Sequence, residues 1–174
     1  TTEKLIAEQL SKHALKVGDK FPAFELPDSK GKQISSTELL AKGPLVLSFY
    51  RGGWCPYCNT QMGQLKQLEP ELKKLGFKLV GISTDAPKDI QKSISKMDLG
   101  YQLLSDYEST VSQAFGLAFF ASQKVTERYL DKINLTNPLQ KNAAGEERLV
   151  LPVPAIYVID SKGLVQFNYV NPNF

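Results

Sequence analysis

The stretch that most constrains this fold is PLVLSFY, residues 44–50, which runs straight into RGGWCPYC at 51–58. An almost uninterrupted apolar run of this length is what a strand carries when both faces of its sheet are covered. Two glycines break the run, and from residue 55 the period changes. Leu65, Leu68, Leu72 and Leu75 recur at helical spacing until Gly76 stops them, so a helix is expected from Cys55 to Gly76. Pro70 lies inside it and is expected to kink or split it. FKLVGIS at 77–83 repeats the buried-strand signature. DAPKDIQKSISKM then reads as an amphipathic helix with Pro87 in its first turn.

The flanking segments complete an α/β chain. Residues 2–15 place Leu5, Ile6, Leu10 and Ala14 on one helical face, with Thr2 as N-cap. Extended segments follow around a turn at Asp28–Gly31, and STELLAK is a short helix ended by Gly43. YQLLSD reads as a short strand and Glu108–Phe115 as a short helix. Residues 117–148 read as an insertion, with LAFFASQKVTERYLDKI helical and NLTNPLQKNAAGEER polar and irregular. AIYVID and LVQFNYV form a hairpin across Ser161–Gly163. With no repeat or linker, the 174 residues make one domain, 1–174. The expected sheet is mostly parallel with an antiparallel edge hairpin and helices on both faces. Strands 44–50 and 77–83 should be parallel neighbours at its centre, with 155–160 antiparallel to 44–50.

Composition removes several function classes. The net charge is +3 with both signs mixed along the chain, and no one-sided basic stripe suits a nucleic acid. No run approaches the roughly 18 apolar residues of a membrane span. Thr1 in place of an initiator Met implies trimming, and the expected location is cytoplasmic. Two cysteines and one histidine, His13, fall short of a closed four-ligand zinc site, so neither metal nor cofactor is expected.

Both cysteines, Cys55 and Cys58, lie at the strand–helix junction, where α/β sheets concentrate function. The nucleophilic form of a thiol is the thiolate, and the free N–H groups of a first helical turn favour negative charge. Cys55 falls at or just before that turn, with Pro56 at a position where its missing N–H costs nothing. Cys58, one turn on, is close enough to Cys55 for a disulfide. Gly52 and Gly53 permit a tight approach loop, Trp54 offers an apolar wall, and Tyr57 lies between the thiols. Two buried, inert cysteines are the ordinary alternative. Against it, a CxxC in a βαβ setting is a redox signature.

The sequence resembles the thioredoxin-fold superfamily, within it the alkyl hydroperoxide reductase/thiol-specific antioxidant, or peroxiredoxin-like, family. The blocks VGDKFPAFELPDSKGKQIS, GPLVLSFYRGGWCPYC, LLSDYESTVSQAFGL and AIYVIDSKG carry the resemblance, in the family's order. It implies the family pattern Pro-x-x-x-Thr/Ser-x-x-Cys, which puts Cys58 at the peroxidatic position. Cys55 then replaces the Thr, Arg51 the Pro, and Pro154 the late-strand Arg. Of three arginines, Arg51 and Arg148 are the candidates to supply the missing charge. WCPYC is also similar to thioredoxin's Trp-Cys-x-x-Cys and to the glutaredoxin dithiol, although Phe49 stands where thioredoxin has a buried Asp. The likeness to thioredoxin, with the place of Pro154 before AIYVID, predicts a cis Val153–Pro154 bond beside the cysteines. Such a turn would offer a backbone amide and an open edge to a substrate disulfide or peptide.

Two redox chemistries fit. The first is thiol–disulfide exchange, with Cys55 attacking and Cys58 resolving. The second is a thiol peroxidase that passes through a sulfenic acid, with Cys58 the attacker by family position and Cys55 by exposure. Both end in a Cys55–Cys58 disulfide and need a thioredoxin- or glutathione-like thiol reductant; a homodimer is compatible with either. A non-catalytic binding domain using 117–148 is the reading from another class. The resemblance also implies a C-terminal helix beyond Phe174, where the sequence stops.

Overall fold

The computed structural model describes residues 12–171. The helix expected over 2–15 lies outside them except at its end, where 12–14 form a turn and a bend. Strands β1 (Glu25–Pro27) and β2 (Gln33–Ser35) pair antiparallel around the Asp28–Gly31 turn. That turn is pinned by Asp28 Oδ1, which accepts the N–H groups of Lys30 and Lys32 at 2.9 and 3.0 Å. Ser35 caps α1 (Ser36–Ala41), its hydroxyl accepting the Glu38 N–H. The central βαβαβ run follows as β3 (Leu45–Phe49), α2 (Pro56–Lys74), β4 (Lys78–Ser83), α3 (Pro87–Met97) and β5 (Gln102–Ser105). After it come α4 (Thr110–Ala114), β6 (Ala118–Phe120), α5 (Gln123–Lys132), β7 (Gln140–Lys141), β8 (Glu147–Arg148) and β9 (Val150–Pro152). The hairpin β10 (Ala155–Ile159) and β11 (Val165–Val170) closes the chain.

The main sheet has the order β11-β10-β3-β4-β5. β3, β4 and β5 are parallel, with Leu47 opposite Val80, and β10 pairs antiparallel to β3 with Tyr157 opposite Leu47. Alternation along β3 separates two cores. Leu45, Leu47 and Phe49 face α1, α4 and the N-terminal segments, together with Phe115 and Tyr157. Val46 and Tyr50 face the other side, where Met62 and Leu65 of α2 and Ile90 of α3 cover them. All five β3 residues are buried, which is why the run reads as continuously apolar. The loop that carries both cysteines therefore leaves the sheet from its most enclosed strand.

Two expectations about elements are corrected. Pro70 does not split α2, which runs continuously to Lys74. Pro70 is exposed, so its ring meets solvent instead of the core, and the missing N–H costs one intrahelical bond. Residues 118–120, read as helix, form a strand paired with β9, Phe119 opposite Leu151. The helix of that segment begins only at Gln123, where the Ser122 hydroxyl accepts the Val125 N–H. β6, β9 and their flanks build a small core of their own from Phe119, Ala121, Leu149, Leu151 and Val153, with Trp54 packed against it. No helix among the described residues is long and apolar enough to cross a membrane.

Candidate active site

Beyond β3 the chain crosses to α2 in a tight turn. The Cys55 N–H donates to Gly52 O at 3.1 Å, the Gly53 N–H to Asp85 Oδ2 at 2.8 Å, and Asn59 Nδ2 to Gly53 O at 2.9 Å. Close approach explains both glycines. A Cβ at Gly52 would overlap Trp54 Nε1 and come within 2.7 Å of Asp85 Oδ1, and one at Gly53 would overlap Ser93 Oγ. The loop is pressed onto the end of β4 and the flank of α3. Cys55 becomes the N-cap residue of α2, in extended conformation, with Pro56 at the first helical position.

Both thiols are reduced, and both are largely enclosed: Cys55 is 9% exposed and Cys58 3%. Their chemistry separates by their neighbours. The Cys58 thiol, donating to Cys55, holds the Cys55 thiol down at about 6 against the opposing effect of burial. The backbone N–H groups of Cys58 and Tyr57 and the Arg51 charge act in the same direction. Cys58 is pushed up, first because its proton is held against Cys55 and second by burial, while the Arg51 and Gly52 backbone N–H groups oppose the rise. Of the two, Cys55 is therefore the sulfur favoured as thiolate and Cys58 the one favoured as thiol.

Arg51 is held by rings. Its guanidinium carbon lies 5.6 Å from the Trp54 ring centre, 5.7 Å from that of Tyr129 and 6.0 Å from that of Phe119. Trp54 and Tyr129 meet edge to face at 4.8 Å. A cavity of about 830 Å³ opens over the pair, and Arg51, Trp54, Cys55, Tyr57, Cys58 and Pro154 all line it. Tyr57 projects from its rim, 83% exposed. Arg148 is not among the lining residues; it reaches Glu146 Oε2 at 3.1 Å and Glu147 O at 2.9 Å.

The expected cis Val153–Pro154 bond is absent, since every peptide bond among the described residues is trans. The β6–β9 pairing supplies the physical reason. β6 recruits 150–152 as a strand, and the Val153 N–H extends that pairing to Leu117 O at 2.8 Å, so an extended chain delivers Pro154 to the cavity. The Pro154 carbonyl accepts the Asn171 N–H at 2.9 Å. The backbone groups expected to meet a substrate peptide are engaged within the chain.

Four residues of this neighbourhood escape the sequence reading. Phe119 and Tyr129 flank Arg51, while Asn59 and Asp85 anchor the loop. Asp85 had a usable signal, because it follows β4 at the carboxyl end of the strand next to β3. The two aromatic contacts had none, since they depend on how β6 and α5 fold back onto the loop.

Residues 17–168 match the AhpC/TSA family. Peroxiredoxin Bcp of Escherichia coli (strain K12) is 39% identical over 103 residues, 59% of this chain and 65% of the relative, so the chain spans just under two thirds of that protein. A putative peroxiredoxin bcp of Haemophilus influenzae is 36% identical over 120 residues, 69% of this chain and 76% of the relative. Among solved structures, peroxidoxin BcpB of Mycobacterium tuberculosis has a TM-score of 0.71 at 28% identity, covering 90% of this chain and 86% of its own. Peroxiredoxin Q of Xanthomonas campestris has a TM-score of 0.64 at 22% identity, over 84% and 79%, a likeness of fold alone.

Proposed function

The chain belongs to the AhpC/TSA family, and from that premise we propose that it is an antioxidant oxidoreductase, a thiol-dependent peroxidase working through Cys55 and Cys58. The observation that carries this is geometric: Cys55 at the N-cap of α2 and Cys58 one turn on line one cavity together with Arg51. The Cys55 thiolate attacks one peroxide oxygen: an S–O bond forms, the O–O bond breaks, and an alkoxide leaves. Cys58, whose proton already lies against Cys55, protonates the alkoxide. The resulting Cys58 thiolate attacks the Cys55 sulfenic sulfur and expels hydroxide, which takes up a proton as water. Two thiols are oxidised to a disulfide and the hydroperoxide is reduced to alcohol and water. Arg51 stabilises negative charge at Cys55 and on the leaving oxygen. An external thiol, thioredoxin- or glutathione-like, restores the dithiol. The relatives named peroxiredoxin support this reading.

Thiol–disulfide exchange, the first of the two sequence readings, becomes the second one here. The CxxC still favours it, but the engaged Val153 N–H and the trans Pro154 bond leave a substrate peptide without its expected partner. The test measures hydroperoxide consumption and insulin-disulfide reduction side by side with a small dithiol as reductant. Peroxide turnover lost in Cys55→Ser, with a sulfenic acid trapped at Cys55 in Cys58→Ser, supports the proposal. If Cys55→Ser keeps full turnover and Cys58→Ser loses it, Cys58 is the attacker. This outcome is the one for which its family position and the Arg51 and Gly52 backbone N–H groups argue. Insulin reduction without peroxide turnover would restore the exchange reading.

A further inference from the structure

Asp85 is a buried carboxylate that the redox cycle does not consume. It lies two residues beyond β4, 5% exposed. Its main chain is fixed on both sides: its N–H donates to Ser83 Oγ at 3.3 Å and its carbonyl accepts Ser105 Oγ at 2.6 Å. Its carboxylate reaches across to the active-site turn, where Oδ2 takes the Gly53 N–H at 2.8 Å. The turn is closed by the Cys55 N–H on Gly52 O, and the Arg51 and Gly52 N–H groups face Cys58. One hydrogen bond from a rigid strand end therefore orients the segment that carries Cys55 and supports Cys58. On its other side Asp85 lines a polar cleft of about 460 Å³ with Lys88, Asp89, Lys92, Ser93 and Lys96, which gives its carboxyl an approach to solvent separate from the thiol cavity.

We propose that Asp85 is a positioning residue of the thiol pair: its ionised carboxylate holds the Gly53 N–H, and through it the Arg51–Cys55 turn, in the geometry that makes the pair reactive. The proposal rests on the pair being the reactive centre, but not on the substrate being a peroxide. Burial pushes the Asp85 carboxyl up to about 6, with the Gly53 N–H opposing the rise and Asp89 adding to it. The other groups that face it are Tyr50, whose hydroxyl is raised first by burial and then by the Asp85 charge, and the α3 lysines Lys88, Lys92 and Lys96. As pH rises through this range Asp85 becomes the stronger acceptor and the turn tightens. Below it, the protonated carboxyl releases part of its hold on Gly53.

Fully reduced wild type, D85N and D85A are compared by ultraviolet thiolate absorbance and by iodoacetamide alkylation mapped to each cysteine, between about pH 4 and pH 9. Asn keeps an oxygen for the Gly53 N–H but does not titrate. In the wild type the alkylation rate should rise more steeply with pH than one ionisation allows, because Cys55 and Asp85 both lose protons near pH 6. D85N should stay within about threefold of the wild-type rate at neutral pH and follow a single ionisation; D85A should lose about tenfold. Wild-type behaviour in D85A, or equally steep profiles for wild type and D85N, would each overturn the proposal. If D85A does not fold, the steepness of the D85N profile decides. Peroxide turnover enters none of these readouts, so a failure of the peroxidase reading is told apart from a failure of this one.

Discussion

The Arg51 guanidinium is steadied by the faces of Trp54, Tyr129 and Phe119, which attract a cation without cancelling its charge. Part of its field therefore still falls on Cys55, yet Arg51 comes behind the Cys58 thiol among the influences that lower this sulfur. The order is testable. Alkylation at Cys55 should be half-maximal near pH 6 in the wild type, low below that value because the thiol is protonated, and level above it. Cys58→Ala, which removes the donor, should move the midpoint upward by more than Arg51→Ala does. A larger shift in Arg51→Ala would show that charge, and not the shared proton, sets the thiolate. The sequence shows both cysteines and Arg51 as candidates, but not this ranking. Ranking needs the distances across the turn, and those follow from Gly52 and Gly53 being pressed against Asp85 and Ser93.

Among the elements, those with one local period are readable from sequence, and those that borrow their structure from distant partners are not. β3 and β4 show as apolar runs because both of their faces are buried. β6 is a strand only because β9 lies beside it, some thirty residues later in the chain, so a local reading of LAFFASQKV sees helix. The same fold-back carries Tyr129 on α5 to Trp54 and Arg51. Tyr129→Leu should keep the helix, cost about 1 kcal/mol in denaturant unfolding and raise the Cys55 alkylation midpoint by less than Arg51→Ala does. A midpoint unchanged from wild type would mean that the ring does not orient the guanidinium. In α2 the exposed Pro70 forfeits a backbone bond without breaking the helix. Pro70→Ala should stabilise the protein by up to about 3 kcal/mol without changing thiol reactivity, because the cysteines are more than two turns away. A loss of stability would show that the proline ring or its restriction of the unfolded chain matters more.

For the whole molecule, the sheet order and the seat of the cysteines follow from the sequence, whereas the acid–base balance of the folded state does not. Asp85 reads locally as a polar residue opening an amphipathic helix; its burial comes from the active-site turn folding over it from 32 residues earlier in the chain. The consequence for stability has a definite sign. A carboxyl raised from 3.8 to about 6 on folding binds its proton more tightly in the native state than in the unfolded chain. Its contribution to stability is therefore complete below about pH 4 and is lost as pH rises through about 6, a cost on the order of 3 kcal/mol at neutral pH. Asp106, also raised by burial and opposed by its hydrogen bonds with Ser112, acts in the same direction. A carboxylate that weakens the fold at neutral pH, and is placed against the thiol turn, is what a trade of stability for reactivity leaves behind. D85N should thus be more stable than wild type at neutral pH, by up to about 3 kcal/mol, and show little advantage near pH 4. In D85N the remaining pH dependence should be small, because the raised Asp106 loses stability with rising pH while the lowered Cys55 thiol gains it as pH rises through about 6. Denaturant unfolding of both proteins at the two pH values measures this directly. An equal D85N advantage at both would place the cost in packing around the carboxyl and not in its ionisation.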